Sequence, residues 1–403
     1  MTDLGTIIVL FCIAAAAAVA TRRVRAPYTV TLVVIGVVLG SLRVIQPPHL
    51  TKDLLFTVFL PGLLFEAALH IDSSVFRRIW MSVMALAIPG VIVAIAVSAA
   101  LVEVAFRTTG LAPGFGWPSA LLFAAVVAAT DPVAVTALFR EFHAPERLIV
   151  LIEGESLFND GTAVVFLSLI VAATSGTQTS AAGLVSSFIR VAFGGAATGF
   201  VVGAAITQVI RRLDDAVIEL TLTTIAAYGS FVLAESIGVS GVIATVVAGM
   251  LCGNFGRRSG MSATTRAAVL SFWDFAAFAL NSVVFLLLGF EVPTAALVSS
   301  WKEILIAYVA VLCARLVVVF GGRWIPRLRR GQERIPDSWR VVLAWGGLRG
   351  ALSMVLALAL AGDAPQRETI VRMTAGVVVL SLILQGSTMA PLVRRLRLVD
   401  LPT

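Results

Sequence analysis

The sequence predicts an all-α polytopic membrane protein. Of its 403 residues, 59% are hydrophobic and only 13% are charged. A soluble domain carries about 25% charged and about 45–50% apolar residues, and the mean hydropathy of +0.99 lies far from that balance. The apolar residues form runs suited to a hydrocarbon layer of about 30 Å, and the arginines gather in the short segments between them. The net charge of +7 therefore reports membrane topology, and no nucleic-acid partner is expected.

About thirteen spans are expected, at approximately 4–20, 28–42, 54–71, 81–106, 118–139, 148–173, 184–210, 216–235, 238–253, 267–290, 301–322, 340–361 and 369–391. The first is a retained helix, because its basic cluster Arg22, Arg23 and Arg25 follows the apolar run, whereas a signal peptide carries its positive region first. With the N-terminus outside, 21 basic residues fall in inside loops, 6 fall in outside loops, and Arg190, Arg315 and Arg349 lie within spans. That asymmetry fits the positive-inside rule at every alternation, requires an odd count, and places the C-terminus in the cytoplasm. The uncharged segment 174–183, TSGTQTSAAG, suits an outside turn, while the run Arg323 to Arg340 and the tail arginines Arg394, Arg395 and Arg397 suit the inside. The second and ninth spans are short and are expected inside the bundle or extended at their ends.

An odd count permits two inverted six-helix repeats, 4–173 and 216–391, joined by a linker helix 184–210 within a single transmembrane domain 1–403 and without a sizeable cytoplasmic domain. In such folds, sites lie where corresponding helices are broken by Gly or Pro. The fifth and twelfth spans meet that expectation. Thr130-Asp131-Pro132 interrupts the fifth, because Pro132 lacks an N–H and disfavours helical geometry at Asp131. Trp345-Gly346-Gly347-Leu348-Arg349-Gly350 interrupts the twelfth with three glycines and a charge.

The sixth span carries Glu153, Glu155 and Asp160 in an apolar run. A charge at the bilayer centre costs about 2.5–3.5 kcal/mol on insertion scales, so such residues face a bundle interior or a watery path and often carry ions or protons. At helical spacing, Glu153, Ser156 and Asp160 share one face, with Glu155 and Asn159 beside it. Asp131 and Asp160, with the hydroxyls of Thr130 and Ser156, form an oxygen set suited to a hard cation such as sodium; lithium and potassium remain compatible. A buried Glu155 requires a cation, for which Arg349 is the first candidate and Arg315 and Arg190 the others. Glu66, beyond a Pro61 kink in the third span, is a site or gate candidate. Glu219 and Glu235 are expected near the interface, Asp274 with Arg315 as a structural pair, and His70 and His143 as interfacial histidines. Cys12, Cys252 and Cys313 lack framework spacing and are expected as free thiols.

Five runs together resemble the monovalent cation:proton antiporter family: FLPGLLFEAALHID at 59–72, AATDPVAVTALF at 128–139, EGESLFNDGTAVVFL at 153–167, FWDFAAFALNSVVFLLLGFEV at 272–292 and WGGLRGALSMVLALAL at 345–360. The resemblance spans essentially the whole chain. It implies a core domain with crossed broken helices moving against a dimerisation domain, usually in a homodimer. It implies that Asp160 is the shared cation and proton site, with Asn159 as its neutral neighbour. Thr130 and Asp131 would form the unwound segment near the ion, with Ser156 and Glu66 helping to coordinate it or line its path. Glu155 and Arg349 would form a structural ion pair. Gly62 departs from a proline frequent in relatives. The chain ends about a dozen residues after Pro391, so regulation through a long cytoplasmic tail is not expected.

The implied activity is electroneutral exchange of one sodium, or lithium, for one proton, with no cofactor and no enzymatic chemistry, serving pH homeostasis in a bacterial inner membrane. Potassium/proton exchange and a cation channel are the alternatives. An aspartyl hydrolase using Asp131 and Asp160 as a shared-proton dyad is disfavoured by the resemblance.

Overall fold

A computed structural model describes residues 3–24, 27–42, 51–174, 180–255, 261–292, 294–321 and 335–398. Arg25, Arg43, Arg257, Arg258, the basic run from Arg323 to Arg334 and residues 175–179 of the turn 174–183 lie outside the described residues. Among the described residues every regular element is helical. Seven helices are long and apolar enough to cross a membrane, and shorter apolar helices accompany them.

Local chemistry sets several boundaries away from those the apolar runs suggest. The fourth segment starts at Ser73 instead of near residue 81, because Asp72 caps the helix by accepting hydrogen bonds from the backbone N–H of Ser74 at 2.6 Å and Val75 at 3.4 Å. Pro89 then divides Ser73–Ala87 from Pro89–Thr109, and Gly110, at φ +66°, ends the second piece. The third segment contains a π-helical turn, Leu55–Phe59, followed by Leu60–His70 with Pro61 in its first turn. Pro61 has no N–H to continue the ladder, and the π-helical turn just before it is where the helix accommodates that loss. Glu219 lies at a span end, in the first turn of Ala216–Thr224, where neighbouring side chains cover it. Its carboxylate there lies at the favourable end of the helix dipole.

Two helices are broken. Trp117–Val126 and Val133–Glu141 are separated by an unwound stretch, as are Asp337–Trp345 and Ala351–Leu358. The breaks touch: the Asp131 backbone N–H donates to the Leu348 carbonyl at 2.9 Å. Around them stand Glu146–Thr174, Leu60–His70, Ala263–Glu291 and Trp301–Gly321. Small residues allow such close approach where lipid offers no hydrophobic drive between helices. Gly36 on Tyr28–Ser41 faces Gly289 on Ala263–Glu291, and a Cβ on Gly36 would sit 2.9 Å from the Gly289 Cα.

Candidate functional site

A cavity of about 270 Å³ opens beside the two breaks, lined by Glu66, Thr130, Asp131, Ser156 and Asp160 and walled by apolar side chains such as Leu64 and Phe285. The face expected from helical spacing is the one presented: Glu153, Ser156 and Asp160 all line this cavity, whereas Glu155 is buried and directed elsewhere.

The break at residues 127–132 is held from several sides. The Asp131 carboxylate accepts from the Val133 N–H at 3.0 Å, capping the second half-helix. Asn159 donates from Nδ2 to the Ala128 carbonyl at 3.1 Å and to Thr130 Oγ1 at 3.0 Å. Thr130 Oγ1 lies 3.0 Å from Ser156 Oγ. Asn159 therefore shapes the unwound strand beneath the site, in addition to being the uncharged neighbour of Asp160. The Asp160 Oδ1 atom is buried and has no hydrogen-bond partner in the structure. A carboxylate oxygen left without a donor is costly, and Asp160 lines the same cavity as two hydroxyls and a second carboxylate, a donor set suited to a hard monovalent cation.

The ion pair expected between Glu155 and Arg349 is replaced by another. Arg315 meets Glu155 in a two-pronged contact, Nη1 to Oε1 at 2.6 Å and Nη2 to Oε2 at 2.8 Å, with both side chains buried. Arg315 also donates from Nε to the Leu343 carbonyl at 3.1 Å, at the end of the first half of the second broken helix. Gly347 provides room for it: a Cβ there would lie 2.8 Å from Arg315 Nε. Arg349 instead donates from Nη1 to the carbonyls of Ala128 at 2.8 Å and Ala129 at 3.0 Å, in the opposite break. Its charge answers the half-helix C-terminus. Removing it in Arg349→Ala takes one donor from each of two buried carbonyls, which keep Asn159 at 3.1 Å and Ser353 at 3.4 Å, so each lost bond costs about 0.5–1.5 kcal/mol. The melting temperature in detergent should fall, and an unchanged value would remove this structural role.

The expected Asp274–Arg315 pair is likewise absent, because Arg315 is committed to Glu155. Asp274 Oδ1 lies 3.3 Å from His70 Nε2, and His70 Nδ1 lies 3.2 Å from Glu66 Oε1. From the end of its helix, His70 thus meets Glu66, which lines the cavity. Arg140, counted in the sequence as a loop arginine, lines the cavity and donates to Glu153 at 2.8 Å. The i, i+4 spacing of Glu66 and His70 was the one sequence signal available for this cluster.

The sodium/hydrogen exchanger transmembrane family model matches residues 7–395. The chain is 40% identical over 376 residues to the Na(+)/H(+) antiporter ApNhaP of Aphanothece halophytica, covering 93% of this chain and 70% of that protein. It is 33% identical over 407 residues to the Na(+)/H(+) antiporter NhaH of Halobacillus dabanensis, covering 98% of each. Among solved structures, the sodium proton antiporter MjNhaP1 of Methanocaldococcus jannaschii superposes with a TM-score of 0.79 at 21% identity, over 98% of this chain and 99% of that one. That likeness concerns the fold.

Proposed function

We propose that this chain, which belongs to the sodium/hydrogen exchanger family, exchanges sodium for protons across a bacterial inner membrane. The family is one of transporters, not enzymes, and its chemistry needs no cofactor. The observation that carries the reading is Asp160, which lines a cavity where two broken helices meet and whose buried Oδ1 has no hydrogen-bond partner.

Asp160 binds a cation or a proton in turn, and competition for one carboxylate couples the two fluxes. Asp131, Thr130 and Ser156 supply further oxygens to sodium, and Glu66 lines the approach. Asn159 adds no titratable group beside Asp160, which favours electroneutral one-for-one exchange. The helices are read as thirteen crossings with the N-terminus outside and the C-terminus in the cytoplasm. The two inverted repeats, 4–173 and 216–391, supply the crossed broken helices of a core domain that moves against a dimerisation domain in a homodimer, so the site faces each side in turn.

Shared occupancy has a pH signature. The sodium concentration giving half-maximal exchange should rise as pH falls, approaching about tenfold per pH unit once the site is mostly protonated. Flat sodium dependence across pH would mean that proton and sodium do not share a carboxylate. Gly350→Ala offers a geometric test, because its Cβ would collide with the Asp131 carboxylate at the contact between breaks. Exchange should drop sharply in that variant, and native rates would show that the two breaks need not touch.

The deciding experiment uses purified protein in liposomes with a trapped pH dye and an imposed proton gradient. Sodium, lithium and potassium are added in turn, with and without a potential clamp. Sodium-dependent proton movement indifferent to the clamp is expected. A response to potassium alone would reassign the substrate, and a membrane potential that drives net sodium flux would end the electroneutral reading. Cation flux without proton movement would indicate a channel.

A further inference from the structure

We propose that Glu66, His70 and Asp274 form a binding site for a zinc-class divalent cation at the side of the cavity. Glu66 and His70 lie one turn apart on Leu60–His70, and Asp274 reaches them from Ala263–Glu291. One ligand atom from each lies within 4.8 Å of the others. One imidazole and two carboxylates are donors that zinc and its neighbours accept, and three protein ligands leave a fourth position for water.

The geometry of His70 suits a ligand. Its Nδ1 lies 3.0 Å from the Glu66 backbone carbonyl. A proton on Nδ1 donated to that carbonyl leaves the lone pair on Nε2. Metal-binding histidines are commonly oriented in this way, with the other ring nitrogen tied to a carbonyl or carboxylate. Nε2 then lies 3.3 Å from Asp274 Oδ1. Two ligands bound to one tetrahedral ion at about 2.0–2.2 Å lie about 3.4 Å apart, so the pair already has the spacing of a shared metal. The Glu66 carboxylate, whose Oε1 lies 3.2 Å from Nδ1 of the same ring, becomes the third ligand by swinging towards Nε2.

Charge points the same way. With neutral imidazole the cluster carries two negative charges, matched by a divalent ion. The nearby cation Arg140 is held by Glu153 at 2.8 Å and so does not neutralise the cluster through a contact of its own. Asp274 is 58% exposed at its side chain, which leaves the site open to ions from solution. Glu66 also lines the transport cavity, so an ion held there slows exchange. That last consequence rests on the transport function proposed above; the binding itself does not.

The test titrates chelator-treated, full-length protein in detergent with cobalt(II), read by its visible absorption, and with zinc by calorimetry. One equivalent is expected to bind, with affinity reduced at least about tenfold in both His70→Ala and Asp274→Asn. Asp274→Asn is a near-isosteric change at an exposed side chain, so it reports on ligation and not on folding. Unchanged affinity in the two variants, or no binding by the native protein, overturns the site. In proteoliposomes, zinc should slow native exchange, and the two variants should need at least about tenfold more zinc for the same effect. Equal zinc sensitivity would also overturn the proposal. If no exchange occurs at all, the transport reading fails and the binding titration still decides this one.

Discussion

Asp160→Asn should reduce sodium-dependent proton movement to the level of protein-free liposomes while leaving the protein folded. Asparagine preserves size and shape but neither carries charge nor takes up a proton at working pH. The variant therefore loses the group for which both substrates compete. Stability should hold or rise. A carboxylate at membrane depth costs about 2.5–3.5 kcal/mol on insertion scales, and Asp160 Oδ1 has no hydrogen-bond partner to offset that cost. Activity lost with an unchanged or higher melting temperature separates a transport role from a structural one. Native exchange by Asp160→Asn would remove this residue from the mechanism. A milder outcome belongs to Ser156→Ala. It deletes one neutral oxygen, worth about 0.5–1.5 kcal/mol, so the apparent affinity for sodium should weaken several-fold while the maximal rate persists.

Features governed by local chemistry were legible in the sequence. Pro132 and the glycines at 346, 347 and 350 had to interrupt their helices, and they do. Helical periodicity placed Glu153, Ser156 and Asp160 on one face, and that face lines the cavity. Periodicity does not tell which helices become neighbours. Glu155 required a cation, and the sequence put Arg349 ahead of Arg315 and Arg190. The choice depended on the distance between helices 160 positions apart in the chain. The error over Arg315 spread to Asp274, whose real neighbour is His70. His70 itself looked ordinary because its significance comes from a residue 204 positions later. The role of Asn159 was hidden for a related reason: its amide binds the backbone of a different broken helix, and no residue type in that strand announces it.

Arg315→Met should be among the most destabilising single changes in the core. Arg315 and Glu155 are both buried and meet through two parallel hydrogen bonds. Removing one partner of a buried pair costs about 3–5 kcal/mol, because the other charge is left without compensation. The substituted methionine also abandons the Leu343 carbonyl, which closes the first half of the second broken helix. Arg315→Lys should recover only part of the loss, since an ammonium lacks the planar fork that engages both carboxylate oxygens. Arg315→Met combined with Glu155→Leu should recover much more, because the stranded charge is gone. The expected order of melting temperatures is therefore native, then the double variant, then Arg315→Lys, then Arg315→Met. Arg349→Ala serves as the comparison. It removes one donor from each of two carbonyls that keep another, and it leaves Glu155 paired, so its loss should be smaller than that of Arg315→Met. The reverse ranking, with Arg349→Ala the more damaging and Arg315→Met nearly silent, would restore Arg349 as the partner of Glu155. It would also change which helices the pair ties together. With Arg315, the pair clamps Trp301–Gly321 to Glu146–Thr174, the helix that carries Asp160. The arginine that steadies the ion-binding helix would then be distinct from the arginine that fills the opposite break.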